Sequence, residues 1–397
     1  MTVYIEKSRA SGSVAAPPSK SFIHRMMICA ALSGGECVIN NVTESDDVLA
    51  TADCVRSLGA GVRIADGTAY IRPGDNASDR LYCRQSGSTL RFFIPVCLAS
   101  GGEYTFYGDE TLLRRPLSVY EKLCAEQGLP FEYGDGSVTV RGPLDMRELT
   151  VSGAVSSQFI SGLMLAAPLT GKDCTIRVIP PFYSRPYVDI TAQVMKLYGV
   201  GAGFPDENTV TVKGGQRYTP ADCTAEGDWS GAALLYTLGA LNGDVSVTGL
   251  NGNSAQGDRA IIKQLEALKA GAPRIDISDC PDNAPALMAA AAALNGATLT
   301  GTSRLKIKES DRGAAMAEEL MKFGAKVRIY KDAIKIRPGI KKPDTAICGH
   351  NDHRIVMACS VLLTLTGGQI QGAEAVNKSY PGFFDDLSSL HVKLRQG

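Results

Sequence analysis

The sequence predicts an α/β protein built from six copies of one helix–strand unit, three in each of two similar domains. Three observations carry this. A glycine recurs six times just past an apolar helical run ending in leucine. A second series of helix ends, each closed by glycine, interleaves with the first. Between them lie stretches with the period-2 alternation of strands.

The first series is Leu32-Ser33-Gly34, Leu98-Ala99-Ser100-Gly101, Leu169-Thr170-Gly171, Leu241-Asn242-Gly243, Leu294-Asn295-Gly296 and Leu365-Thr366-Gly367, with successive glycines 67, 70, 72, 53 and 71 residues apart. Glycine closes a helix readily because it has no Cβ to oppose a positive φ. The second series is Leu58-Gly59, Gln127-Gly128, Tyr198-Gly199, Ala270-Gly271 and Phe323-Gly324. Four of these lead into a hairpin pattern, clearest for residues 62–64 with 69–72 and 326–329 with 334–337. Each unit therefore reads helix, strand, helix, strand, strand, and six units of about 66 residues fill the chain.

The first helix of each unit is apolar nearly all round: 26–32, 92–98, 159–169, 232–241, 284–294 and 355–365. Such helices must be buried. The second helices are amphipathic, as at 314–323 with Glu318, Glu319 and Lys322, and belong outside or at the margins. The polar stretch 219–228 marks a domain break after three units. The sixth unit lacks a closing hairpin, and the N-terminal strand 3–6 is placed to complete it. The expected domains are 19–226, and 1–18 with 227–397, with hinges near 18–20 and 225–229.

Composition narrows the function. Lys plus Arg and Asp plus Glu are each 41, so the net charge is zero, which argues against a general binder of nucleic acid or anionic membrane. The eleven cysteines contain no C-x-x-C, and with no signal-peptide pattern the chain reads as cytosolic and reduced. The longest apolar run, 284–294, is short of the ~20 residues that span a bilayer.

Chemically capable residues gather at helix starts. Pro17-Pro18-Ser19-Lys20-Ser21-Phe22-Ile23-His24-Arg25 places Ser19 as an N-cap and crowds cations into the first turns. That reads as an anion site on free backbone N–H groups, or as a solvated basic turn. Comparable starts are Gln85-Ser86-Gly87-Ser88-Thr89-Leu90-Arg91, Ser156-Ser157-Gln158, Pro281-Asp282-Asn283 and Asn351-Asp352-His353-Arg354. Second-helix starts add Arg114-Arg115-Pro116, Ser184-Arg185-Pro186-Tyr187 and Lys308-Glu309-Ser310-Asp311-Arg312. Lys20, Arg25, Arg91, Arg115, Lys308, Arg312, Arg354 and Lys378 form a cationic set, and Asp282 and Glu309 are its acid/base candidates. His350 and His353 are the one close histidine pair and read as a helix-start feature, not a metal site. This inventory suits small, multiply anionic substrates.

These motifs resemble the 5-enolpyruvylshikimate-3-phosphate synthase family along the whole chain. They are Pro18-Ser19-Lys20-Ser21-x-x-x-Arg25, Gly87-x-x-x-Arg91, Arg115-Pro116, Ser156-Ser157-Gln158-Phe159, Ser184-x-Pro186-Tyr187, Lys308-Glu309-Ser310-Asp311-Arg312, Asn351-Asp352-His353-Arg354 and Lys378-x-x-Pro381. The resemblance implies the enolpyruvyl transferase fold, an inside-out α/β barrel of βαβαββ-type units with buried parallel helices in each domain, and a site in the cleft between domains. It implies transfer of the enolpyruvyl group of phosphoenolpyruvate to the 5-hydroxyl of shikimate 3-phosphate, releasing phosphate. Lys20, Ser21, Arg25, Ser156, Ser157, Gln158, Ser184, Asp282 and Lys308 would hold shikimate 3-phosphate. Lys20, Gly87, Arg115, Gln158, Arg312, Arg354 and Lys378 would hold phosphoenolpyruvate. Asp282 would be the base for the hydroxyl, Glu309 the acid at the enol methylene, and Lys20 would steady the departing phosphate. No cofactor and no metal is implied, no nucleic-acid or membrane partner, and a monomer is expected.

Two departures fall at the site. Members of the family usually read Asn-Ala-Gly-Thr where this chain has Gln85-Ser86-Gly87-Ser88, and some carry Asn where this chain has Arg304. The related UDP-N-acetylglucosamine enolpyruvyl transferases use a loop cysteine, and the comparable stretch 109–116 has none. Cys97 and Cys124 lie in apolar helical runs. A non-catalytic anion-binding repeat protein would not need Asp282 paired with Glu309.

Overall fold

The computed structural model describes residues 1–397. The chain forms two compact units, Pro18–Glu226, and Met1–Pro17 with Gly227–Gly397. No helix is long and apolar enough to cross a membrane.

In Pro18–Glu226 the helices Lys20–Leu32, Gly87–Ser100 and Ser157–Ala166 are buried on almost every side. Three four-stranded sheets cover them, all with one strand order. In one, Glu148–Ser152 runs parallel to Cys174–Ile179, which pairs antiparallel with Thr209–Val212, and that strand forms a hairpin with Ala202–Asp206. Leu149, Val151, Ile176 and Val178 point inward while Glu148, Thr150 and Arg177 are exposed. A parallel pair cannot be closed by a tight turn and needs a crossover, and the buried helix Ser157–Ala166 is that crossover. This is the βαβαββ unit.

The second unit repeats the plan around Trp229–Asn242, Ala284–Ala293 and His353–Thr366, with two four-stranded sheets and one two-stranded sheet. The hairpin of the last sheet is made by the chain ends. Thr2–Ile5 pairs antiparallel with both Gly368–Gln371 and Leu394–Gln396. The segments that flank each crossing of the chain pair within their own unit: Ala10–Ala15 runs beside Gly243–Thr248, and Cys223–Thr224 beside Cys37–Asn40.

Three features refine the expected plan. Four of the five second helices lead into a hairpin, as expected, and the fourth copy, which has none, departs from the common unit: helix Ile261–Ala270 leads directly into Arg274–Asp276, the first strand of the next sheet. The missing hairpin accounts for the short interval before Gly296. Of the six repeated glycines, five have φ between 67° and 81°, but Gly243 is extended, and a Cβ there would lie 2.1 Å from the Ala10 carbonyl oxygen. It is glycine for close strand approach. Glu319, expected on an outer face, is fully buried. Lys322 Nζ, His350 Nε2 and the Cys348 N–H all lie within 3.0 Å of its carboxylate.

The helix starts carry their own caps. Ser86, Ser156, Asp228 and Asp352 each accept a backbone N–H through the side chain. Ser19 occupies the N-cap position without a side-chain capping bond.

Helix Gly87–Ser100 contains Pro95, which cannot donate to the Arg91 carbonyl one turn back. Tyr120 Oη takes that place, 2.6 Å from Arg91 O and 3.2 Å from Phe159 O. Gly162 makes room, since a Cβ there would lie 2.5 Å from the same carbonyl and 2.6 Å from the hydroxyl. Tyr120→Phe is expected to lower unfolding free energy by about 1–3 kcal/mol, the cost of a buried acceptor left unmatched. Urea denaturation checks this, and an unchanged midpoint at unchanged slope would refute it.

Candidate active site

Each unit carries one polar cluster at the starts of its helices. In Pro18–Glu226 the cluster centres on the glycine loop. Gly87 is the first residue of its helix, and a Cβ would lie 2.9 Å from Arg115 Nη1 and 3.3 Å from Arg91 Nη1. A glycine therefore leaves two guanidinium groups room beside a helix N-terminus, an arrangement suited to an anion. Arg91 Nη1 donates to Gln158 Oε1 at 2.7 Å, and Gln158 Nε2 donates to Ser88 Oγ at 2.9 Å. Both ends of the Gln158 amide are thus fixed. Ser156 caps the helix that presents Ser157 and Gln158.

Lys20 begins its helix and lies 2.6 Å from Asp47 of helix Asp46–Ser57. A buried hydroxyl chain runs alongside: His24 Nδ1 meets Thr51 Oγ1 at 2.6 Å, Thr51 meets Thr89 at 2.7 Å, and Thr89 donates to Ser86 Oγ at 2.7 Å. It anchors the residue before Gly87. Burial, then Lys20 and Arg25, push His24 well below its ordinary value, so it is neutral.

Arg25 is also engaged inside its own unit. It is 2% exposed and spends its guanidinium on the protein: Nε on Thr191 Oγ1, Nη1 on the Ser21 carbonyl, and Nη2 on Ser161 Oγ and the Tyr187 carbonyl. Burial pulls it down to about 10. It braces the helices from within and donates to the Ser21 carbonyl one turn back. Ser184 stands before helix Arg185–Leu197 in the left-handed region, with φ 54°, a conformation a serine holds only where its surroundings impose it.

In the other unit the structure brings Asp282, Lys308, Glu309, Arg312 and Arg354 together. Asp282 comes from the turn Pro281–Asn283, and Arg312 opens helix Arg312–Lys322. Arg312 Nη1 donates to Asp282 Oδ1 at 2.7 Å, Nη2 pairs with Glu309 Oε2, and Nε donates to Asp352 Oδ2 at 2.8 Å. Lys308 Nζ and Arg354 Nη2 lie 3.2 Å and 3.5 Å from the Asp282 carboxylate. Lys378 Nζ donates to the Asn351 carbonyl at 2.6 Å, beside the same helix start. Arg304, in the turn Ser303–Ile307, is largely buried and donates to the Ser278 carbonyl at 2.8 Å.

Electrostatics set the protonation states. Burial acts to raise Asp282, but Lys308, Arg354 and Arg312 outweigh it and hold the carboxyl well below the usual range. Burial lowers the Lys308 ammonium, and Asp282 opposes that. Burial would lower Arg312, yet Asp352, Glu309 and Asp282 raise it, so it is a permanent cation. Three carboxylates on one guanidinium, two of them partly exposed, with further cations within hydrogen-bond reach, can bind anions and move protons.

Asp352, Asp47 and Ser88 gain individual roles only in the folded chain. Asp352 is visible in the sequence only as part of a helix start, and nothing local shows that Asp47 reaches Lys20. As for metals, Glu318, Glu319 and His350 offer ligand atoms within 4.8 Å of one another, but the Lys322 ammonium already lies 2.8 Å from Glu319. Burial raises the Cys97 thiol well above its ordinary value and Cys124 to about 11, so neither is a ready nucleophile.

The chain is similar to known proteins over its length. A family model described as EPSP synthase (3-phosphoshikimate 1-carboxyvinyltransferase) matches residues 5–387. A relative from Clostridium kluyveri named 3-phosphoshikimate 1-carboxyvinyltransferase is 37% identical, over 98% of this chain and 97% of its own. One of the same name from Clostridium perfringens strain SM101 is 36% identical, over 99% of each. Among solved structures, EPSP synthase from Acinetobacter baumannii superposes with TM-score 0.80 at 22% identity, covering 100% of both chains. The enolpyruvyl transferase NikO from Streptomyces tendae gives 0.76 at 16% identity, covering 99% of this chain and 98% of that one. These two likenesses concern the fold.

The depressed Asp282 predicts a pH effect. An unfolded aspartate titrates near ~3.9. The stabilisation from ionised Asp282 is complete above that value and is lost as pH falls through the lower folded one. Melting temperature should therefore fall more steeply below about pH 4 in the wild type than in Asp282→Asn. Parallel curves for the two proteins would refute the assignment.

Proposed function

The chain belongs to the EPSP synthase family, the 3-phosphoshikimate 1-carboxyvinyltransferases, and we propose that its two polar clusters perform that family's reaction with the residues set out below. The enzyme transfers the enolpyruvyl group of phosphoenolpyruvate to the 5-hydroxyl of shikimate 3-phosphate and releases phosphate. The observation that carries the assignment of roles is the placement of Asp282 and Glu309 on one guanidinium, that of Arg312, with Lys308 and Arg354 beside them.

Arg115, Arg312, Arg354 and Lys378 bind the carboxylate and phosphate of phosphoenolpyruvate, with Lys20 and Gln158, and the missing Cβ of Gly87 leaves space against Arg115. Lys20, Ser21, Arg25, Ser156, Ser157, Gln158, Ser184, Asp282 and Lys308 bind shikimate 3-phosphate. Arg25 supports Ser21 from the interior. Asp282 accepts the proton of the 5-hydroxyl as its oxygen adds to C2 of phosphoenolpyruvate. Glu309 delivers a proton to the methylene carbon and later takes one back from the resulting methyl group as phosphate leaves. Lys20 balances the charge of that phosphate. As paired here, Asp282 is a weak base. A substrate anion that competes for Arg312 and Lys308 would release it and raise its basicity, so binding and base activation are coupled. The buried thiols and the loop without cysteine favour this reading over the UDP-N-acetylglucosamine reaction. Cytoplasmic action fits the eleven unpaired cysteines, and the proposed enzyme is a monomer.

Phosphate release from purified protein with shikimate 3-phosphate and phosphoenolpyruvate tests the reaction. Turnover on UDP-N-acetylglucosamine without turnover on shikimate 3-phosphate would sink it. Glu309→Gln and Asp282→Asn should keep substrate binding and lose kcat by about 10²-fold or more, and near-normal kcat would remove that residue from its role. Gly87→Ala should displace Arg115 and raise the KM for phosphoenolpyruvate by ~10-fold or more, with the KM for shikimate 3-phosphate less affected. Equal KM changes would show that the alanine disturbs the fold and not the arginine.

A further inference from the structure

Asp352 has no part in the roles above, and we infer that it is the positioning residue that aims Arg312 and sets its spacing from Arg354. The inference rests on the proposed phosphoenolpyruvate-binding roles of those two arginines. Of the three carboxylates around Arg312, the side chains of Asp282 and Glu309 are 18% and 17% exposed, whereas that of Asp352 is 0% exposed. Asp352 lies behind the guanidinium, and the other two lie on its accessible side.

The contacts divide the guanidinium accordingly. Asp352 Oδ2 accepts from Nε at 2.8 Å, and Oδ1 lies 3.4 Å from Nη2. Asp282 and Glu309 share the Nη1/Nη2 edge. A carboxylate or phosphate is gripped best by two parallel N–H groups of one edge. An incoming anion therefore exchanges with Asp282 and Glu309, while Asp352 keeps the Nε side and preserves the orientation of the ring of donors.

Asp352 is itself immobilised. Its Oδ1 accepts the Arg354 backbone N–H at 2.9 Å as the N-cap of helix His353–Thr366, and its Oδ2 accepts Ser310 Oγ at 3.0 Å. One carboxylate thus joins the starts of helices Arg312–Lys322 and His353–Thr366. It fixes two arginines from separate helices against one another.

The test is a double-mutant cycle read by isothermal titration of phosphoenolpyruvate and of shikimate 3-phosphate, each alone so that no turnover occurs. Asp352→Asn should weaken phosphoenolpyruvate ~10-fold or more and shikimate 3-phosphate by less than ~2-fold. Lysine has no Nε, so in an Arg312→Lys background the same substitution should cost less than a further ~2-fold. A merely structural aspartate would give the same loss in both backgrounds, or equal losses for both ligands, and either result overturns the inference. So does an unchanged affinity in folded Asp352→Asn. If that variant does not fold, Ser310→Ala loosens the same carboxylate without removing a charge and should weaken phosphoenolpyruvate alone by ~2–5-fold; no change there overturns the inference as well. Unchanged affinity in Arg312→Lys alone would instead refute the role of Arg312 on which the inference stands.

Discussion

A helix that is apolar on every face can meet water only at its ends, and six such helices govern this protein. Burying them requires sheets on all sides, which accounts for the repeated βαβαββ unit and for the amphipathic second helices outside. It also confines polar chemistry. The N-termini carry unpaired N–H groups and the positive end of the helix dipole, and Gly87, Ser156, Asp282 and Asp352 lie at those starts, with Arg312 at the start of an amphipathic helix beside them. Anion binding at helix starts follows from how the core is made.

The charges gathered there must be balanced locally. Arg312 is buried, and a buried guanidinium without partners would cost several kcal/mol. It is held by three carboxylates. Two of them are the proposed acid and base, and for Asp282 the cations that surround it also keep it ionised and poorly basic until a substrate anion replaces it. The other cluster follows the same rule on a smaller scale, with Asp47 opposite Lys20 and Gln158 pinned between Arg91 and Ser88. Zero net charge in the sequence hides two clusters of cations whose counter-ions are in part built in.

Much of this is legible in the order of residues along the chain. Leucine–glycine punctuation locates the helix ends, and motif order locates nearly every member of both clusters. Legibility ends where partners are distant in sequence. Glu319 has the pattern of a surface charge on an amphipathic helix, yet it is buried because Lys322, His350 and the Cys348 N–H satisfy it. Arg25 has the pattern of a ligand contact, and nothing adjacent to it in sequence shows that Thr191, Ser161 and the Tyr187 carbonyl also hold it. The fourth unit reads as complete although its spacing is short, and Gly243 reads as a helix cap although it serves strand contact.

The sequence by itself determined the six units, the buried helices, the cationic inventory and the family, because each is written in local periodicity or in residues adjacent along the chain. Only the tertiary structure decided which charges face each other: Asp352 behind Arg312, Asp47 against Lys20, Arg25 turned inward. Those pairings join residues brought together by packing, and the energy of a buried charge depends on its neighbours in space, which no local pattern encodes.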